Sequence, residues 1–179
     1  DLLLRKRSEG VQVNLIYDSV GALGTPPEYF ERLRQAGVRV CEYNPVNPLK
    51  ARGAWRINNR DHRKLLVVDG GVAFAGGINI SGVYSSGSFS KRRRKPPVED
   101  GWRDTHIEVR GPIVADVQQL FLETWAKQCG EIGAARYFPR LRTEGGKVMR
   151  VIAGEPGESE IYPALLSAIE RAERKVYLT

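Results

Sequence analysis

The sequence predicts an α/β fold with a mostly parallel sheet. Two observations carry that expectation. The first 43 residues read helix, strand, helix, strand, the order in which parallel strands are joined by covering helices. The chain also has the size and composition of a globular domain with a real core: 179 residues, 41% apolar and 27% charged.

The elements follow in order. Asp1 to Arg7 reads as the last turns of a helix closed by Gly10. Val11 to Tyr17 alternates and then turns apolar, as a buried strand does, and Asp18 stands at its C-terminal end. Gly21, Gly24 and two prolines mark a loop. Thr25 is the candidate N-cap of a helix over Pro26 to Gln35, with Glu28 three residues after the cap. Tyr29, Leu33 and Phe30 share a side of that helix, and Gly37 ends it. Val38 to Tyr43 is the second strand. After a loop over Asn44 to Arg60, strands Lys64–Val68 and Val72–Ala75 flank Asp69-Gly70-Gly71 as a tight hairpin.

Ser81 to Gly101 is poor in apolar residues and reads as a mobile surface loop. Trp102 to Arg110 reads as a strand. Pro112 opens a helix from Ile113 to about Gln128, with Val117, Leu120, Phe121 and Trp125 on its apolar face. Residues 130 to 146 are loop-like. A strand over Val148 to Ala153, a helix over Ser159 to Arg174 and the beginning of a strand at Lys175 complete the expectation.

Charge is local. The net charge is +7, but Lys91, Arg92, Arg93, Arg94 and Lys95 form one run, and without them the balance is +2. Such a run suits a polyanion, either nucleic acid or an anionic membrane face, or is simply solvated. Two cysteines, Cys41 and Cys129, have no CxxC spacing, so two buried reduced thiols are expected rather than a disulfide framework or a metal site. No run of about 18 apolar residues is present, and no leader peptide is legible. The first residue is Asp rather than Met, which fits a piece of a longer chain.

The chemistry concentrates in Asn58 to Ser81. His62 and Lys64 stand two residues apart at the start of a strand, so alternation puts both side chains on one face. An imidazole beside an ammonium, without a cysteine or a second near histidine, suits a phosphoryl group better than a metal. The histidine can attack phosphorus, and the lysine neutralises charge on the non-bridging oxygens. Asn79 can donate to the same oxygens, and Gly76 and Gly77 permit close backbone approach. Asp69 fits the turn and is a candidate for tying the motif together. Taken singly, each residue has an ordinary structural reading. Asp104, with Glu108 as the alternative, is the candidate acid that would fix the tautomer of His62.

These residues together resemble the HxKxxxxD motif of the phospholipase D superfamily, here His62-Arg63-Lys64-Leu65-Leu66-Val67-Val68-Asp69. The family continues with Gly-Ser-x-Asn after six residues. This chain has Gly76-Gly77-Ile78-Asn79, a glycine pair familiar in the bacterial cardiolipin synthase-like branch. The lead-in NNRDHRK and the segment WRDTHIEVRGPIV are similar to that branch too.

The resemblance implies a phospholipase D-like α/β/α sandwich with a mixed, largely parallel sheet flanked by helices. It implies His62, Lys64 and Asp69 as catalytic residues, with Lys64, Gly77 and Asn79 around the phosphate and no cofactor or metal. It further implies a first unit over 1–146 that lacks its N-terminal start and carries the basic loop 81–101. The beginning of a second repeat would follow over 147–179, and the partner motif would come from the same longer chain or from a dimer partner. The implied reaction is phosphatidyl transfer through a phosphohistidine on anionic, phosphatidylglycerol-like phospholipid, at the cytoplasmic face of a bacterial cell membrane. There the basic loop would meet headgroups. The alternatives are a phosphodiesterase acting on nucleic acid and a non-catalytic module that binds anionic lipid.

Overall fold

The computed structural model describes residues 1–51, 58–79, 104–132, 138–154 and 160–178. The first layer pairs β1 (Asn14–Asp18) with β2 (Arg39–Tyr43) in parallel, from Asn14 opposite Arg39 to Asp18 opposite Tyr43. Between them runs α2 (Pro27–Gln35), preceded by α1 (Leu2–Ser8). Phe30 and Leu33 of α2 are buried against Leu15, Tyr17 and Val40, with Leu3 and Leu4 of α1 closing the cluster. Tyr17 stacks on Phe30 with ring centroids 3.8 Å apart. Burying a side chain such as Leu33 stabilises the fold by about 1.5–3 kcal/mol.

Alternation along β2 makes it the middle of a three-layer arrangement. Val40 faces α2, whereas the buried Cys41 and Tyr43 have the opposite parity. Their side is covered by α3 (Ile113–Cys129), which packs against β2 and also against β3, β4 and β5. Cys41 is joined to Cys129 by a disulfide, with Cα atoms 6.0 Å apart. This corrects the expectation of two reduced thiols. The cysteines are 88 residues apart in sequence, and only the packing of α3 on β2 brings them together.

The second sheet is the meander β3 (Leu65–Val68), β4 (Val72–Gly76) and β5 (His106–Arg110), antiparallel throughout. Its inner face places Ala73 and Val109 against Val114 and Val117 of α3, with Leu65 and Val67 packed around them. The fold is therefore α/β with mixed pairing, as expected. The parallel share is one ladder, β1–β2, and the other two ladders are antiparallel.

The β3–β4 turn is tight. Asp69 and Gly70 have φ of 51° and 62°, and the Gly71 N–H donates to the Val68 carbonyl at 3.0 Å. Two positive φ values at the central positions are those of a type I′ turn, whose twist matches that of the strands it joins.

Other differences from the sequence expectation have local causes. Helix α2 has Pro26 rather than Thr25 at its N-cap, without a side-chain cap. Pro27 pushes the residue before it out of the helical region, and Pro26 accordingly has ψ 133°. Residues 148–153 and 175–178 form no strand, because no neighbouring strand pairs with them among the described residues. Helix α4 (Ile161–Glu170) is shorter at both ends than the expected helix. The strand expected over Trp102–Arg110 begins at His106, and Trp102 and Arg103 lie outside the described residues. So does the whole of the expected basic loop 81–101, including Lys91, Arg92, Arg93, Arg94 and Lys95. No helix among the described residues is long and apolar enough to cross a membrane.

Candidate active site

The site forms at one end of both sheets. The C-terminal ends of the parallel strands β1 and β2 supply Asp18, Ser19 and Asn44, and open α/β sheets place their ligand sites at such ends. In the meander, Leu65 pairs with Ala75 and Gly76 with His106. The start of β3, the end of β4 and the start of β5 therefore share one edge of that sheet.

His62 and Lys64 come together just before β3. The Lys64 Nζ lies 2.9 Å from His62 Nδ1 and also donates to the His62 carbonyl at 2.5 Å. An ammonium has only donors, so in this contact Nδ1 is the acceptor. Arg63 folds back on Asp61, whose Oδ1 accepts from the Arg63 backbone N–H at 3.0 Å and from Nε at 2.8 Å. His62 is exposed between these two anchored neighbours.

Gly76 and Gly77 carry the chain past β5 at very short range. The Gly77 N–H donates to the Thr105 carbonyl at 3.1 Å, and the Ile78 N–H donates to His106 Nδ1 at 3.3 Å. A Cβ on Gly76 would run into the Thr105 carbonyl and come 2.7 Å from the His106 Cα. A Cβ on Gly77 would collide with the Asp104 carboxyl, 2.8 Å from its Cγ. The missing hydroxyl at position 77 thus coincides with an acid packed into the space it would need. Asn79 follows, exposed, at the same end of the sheet.

The remaining candidates sort by position. Asp104 is brought to Gly77. Glu108, opposite Phe74 in the register, pairs with Arg110 at 2.8 Å in an exposed contact. Asp69 occupies the hairpin turn at the other end of β3 from Lys64, about 17 Å along an extended strand. The structure brings it to the turn, not to the histidine.

What the sequence reading missed is the polar network behind His62. The Asp18 carboxylate accepts from the backbone N–H groups of Val20, Gly21 and Asp61, at 2.9, 3.0 and 3.3 Å. Arg60 lies 3.8 Å from it and donates to Ser19 Oγ and to the Asn44 carbonyl, each at 2.9 Å. Asn44 is buried, with φ 44°. The only sequence signals were an acid ending a strand and an arginine two residues before the histidine.

A cleft of about 960 Å³ opens beside this edge. Asn59, Asp61 and His62 line its polar side, and Ile107, Ile113 and Val151 belong to its apolar walls. Tyr43 also lines it, and burial, reinforced by the Asp61 carboxylate, pushes its phenol up from 10.0. Among the described residues no group of three or more His, Cys, Asp or Glu could hold a metal ion.

Comparison with known proteins gives a consistent result. A cardiolipin synthase A of Pseudomonas fluorescens is 34% identical over 184 residues, covering 99% of this chain. The cardiolipin synthases of Halalkalibacterium halodurans and Geobacillus thermodenitrificans are each 34% identical, over 100% and 96% of it. The chain spans only about a third of the length of these relatives, 34–35%. No family model matches the sequence, and no solved structure matches it.

Proposed function

We propose that this cardiolipin synthase-like, phospholipase D-type chain carries one half of a phosphatidyltransferase site. The observation that carries the reading is the 2.9 Å approach of Lys64 to His62 at the mouth of an apolar-walled cleft. A phosphodiester whose other end is a diacylglycerol suits that neighbourhood, where charge meets apolar wall.

The reaction begins with the lysine. A phosphodiester anion competes with His62 Nδ1 for the Lys64 ammonium. As Lys64 turns to the non-bridging oxygens, Nδ1 is released and takes the ring proton, held there by a carboxylate. Asp104 is our candidate for that carboxylate, with Glu108 as the alternative. Nε2 then has its lone pair for attack on phosphorus, and Asn79 and the backbone at Gly77 steady the oxygens. The P–N bond forms as the bond to the glycerol headgroup breaks, and a second histidine protonates the leaving glycerol. The hydroxyl of a second phosphatidylglycerol, deprotonated by the same group, displaces the histidine and yields cardiolipin.

That second histidine belongs to a second motif, so residues 147–179 are read as the start of another repeat in a longer chain. A dimer partner is the alternative source. The Lys91–Lys95 run would rest against anionic headgroups at the cytoplasmic face of the membrane, each charge worth about 1 kcal/mol there.

The test incubates the full-length protein with phosphatidylglycerol and, separately, with plasmid DNA. Cardiolipin formation with intact plasmid is the expected result. Plasmid cleavage without cardiolipin would replace this reading with a nuclease. Lipid binding with neither product would make the chain an anionic-lipid binding module.

A further inference from the structure

We propose that Asn44 and Arg60, working with Asp18 and Ser19, are positioning residues that clamp the segment bearing His62. The proposal rests on the reading of His62 as the nucleophile.

Three consecutive residues before the histidine are tied to the C-terminal ends of β1 and β2. Asn59 is held through its carbonyl, which accepts from Asn44 Nδ2 at 2.7 Å. Arg60 is held through its side chain, which reaches Ser19 Oγ and the Asn44 carbonyl at 2.9 Å. Asp61 is held through its backbone N–H, which reaches Asp18 Oδ2 at 3.3 Å. The next residue is His62.

The clamp is itself built in. Ser19 Oγ donates to the Asn44 carbonyl at 2.7 Å, and the Asn44 N–H donates to Gln128 Oε1 at 3.1 Å. The neighbouring Cys129 is bonded to Cys41 on β2, so the helix that supplies Gln128 is fixed to the strand that leads into Asn44. Asn44 and Ser19 are both buried, and buried polar groups that satisfy one another hold one arrangement in place of many. Asn44 is suited to its position for two reasons: it tolerates the left-handed backbone, and its side chain supplies the Asn59 tie.

A nucleophile displaced by about 1 Å loses on the order of 100-fold in rate, so a clamp of this kind should act on turnover rather than on binding. Asn44→Gly separates the two roles of Asn44, because glycine keeps the positive φ and removes only the side-chain tie. In the full-length protein, Asn44→Gly should lower kcat by about 10- to 100-fold with KM within about 3-fold. Arg60→Lys should recover part of the activity lost in Arg60→Ala.

A second measurement needs no turnover. In the full-length protein the imidazole NMR signals of His62 and His106 are assigned by their loss in His62→Ala and His106→Ala. Asn44→Gly should shift or broaden the His62 signals and leave those of His106 in place. The clamp is refuted if the His62 signals stay put, or if both histidines move alike. Transfer activity that survives His62→Ala would instead overturn the nucleophile assignment, and the NMR comparison would still decide whether the segment is clamped.

Discussion

The Asp104 carboxyl occupies the space that a side chain at Gly77 would need, its Cγ 2.8 Å from where the Cβ would lie. One residue earlier the obstacle is backbone, since a Cβ on Gly76 meets the Thr105 carbonyl. A carboxylate can rotate away and a hydrogen-bonded backbone carbonyl cannot. Gly76→Ala should therefore cost more stability than Gly77→Ala. About 2–3 kcal/mol is expected for the first and under about 1.5 for the second, measured by thermal denaturation. Equal losses would mean that the close approach is not what makes glycine necessary at 76.

The hairpin makes a different prediction for Asp69. Its φ of 51° is tolerated by Asp and Asn and strained in a β-branched residue. Asp69→Asn should change stability little, whereas Asp69→Val should cost about 1–3 kcal/mol. A denaturant titration of the two variants checks this. A large loss of turnover in Asp69→Asn, at unchanged stability, would assign a chemical role to this carboxylate.

The Cys41–Cys129 bond closes a loop of 88 residues. Its reduction should destabilise the chain by about 2–4 kcal/mol, seen as a lower melting temperature in dithiothreitol. The Cys41→Ala, Cys129→Ala double variant should melt at the same lower temperature with or without reductant. A native protein indifferent to dithiothreitol would show that the bond contributes nothing to its stability.

Tyr43 sets an alkaline limit. Burial, and then the Asp61 carboxylate, raise its phenol from 10.0, so the folded state holds the proton more tightly than the unfolded state. The stabilisation is present below pH 10 and is lost as the pH climbs through the raised value. Melting temperature should thus fall above about pH 10, and Tyr43→Phe should flatten part of that fall. A Tyr43→Phe profile that tracks the native one would assign the alkaline loss to other groups.

Much of this was legible because its causes are local. Period and breakers placed β1, α2, β2, the β3–β4 hairpin and α3 within a few residues, and Asp69-Gly70-Gly71 announced its turn. His62, Lys64 and Asn79 fall in one short stretch, so their spacing could be read directly. Long-range causes stayed hidden. Nothing near Asn44 in sequence says that its side chain will meet Asn59, and nothing near Cys41 points to Cys129. The expected strand over Val148–Ala153 failed for the same reason, since an apolar run becomes a strand only when another strand pairs with it. Asp104 lies between these cases: its sequence position suggested a strand acid near the histidine, and only the packing placed it against Gly77.

If His62 is the nucleophile, it carries the phosphatidyl group covalently during turnover. The full-length protein is mixed with phosphatidylglycerol, quenched at early times and digested, and the peptide containing His62 is weighed by mass spectrometry. A phosphatidyl adduct is expected on His62, and it should disappear in His62→Ala together with cardiolipin formation. An adduct on another residue, or cardiolipin formed at the native rate by His62→Ala, would contradict it.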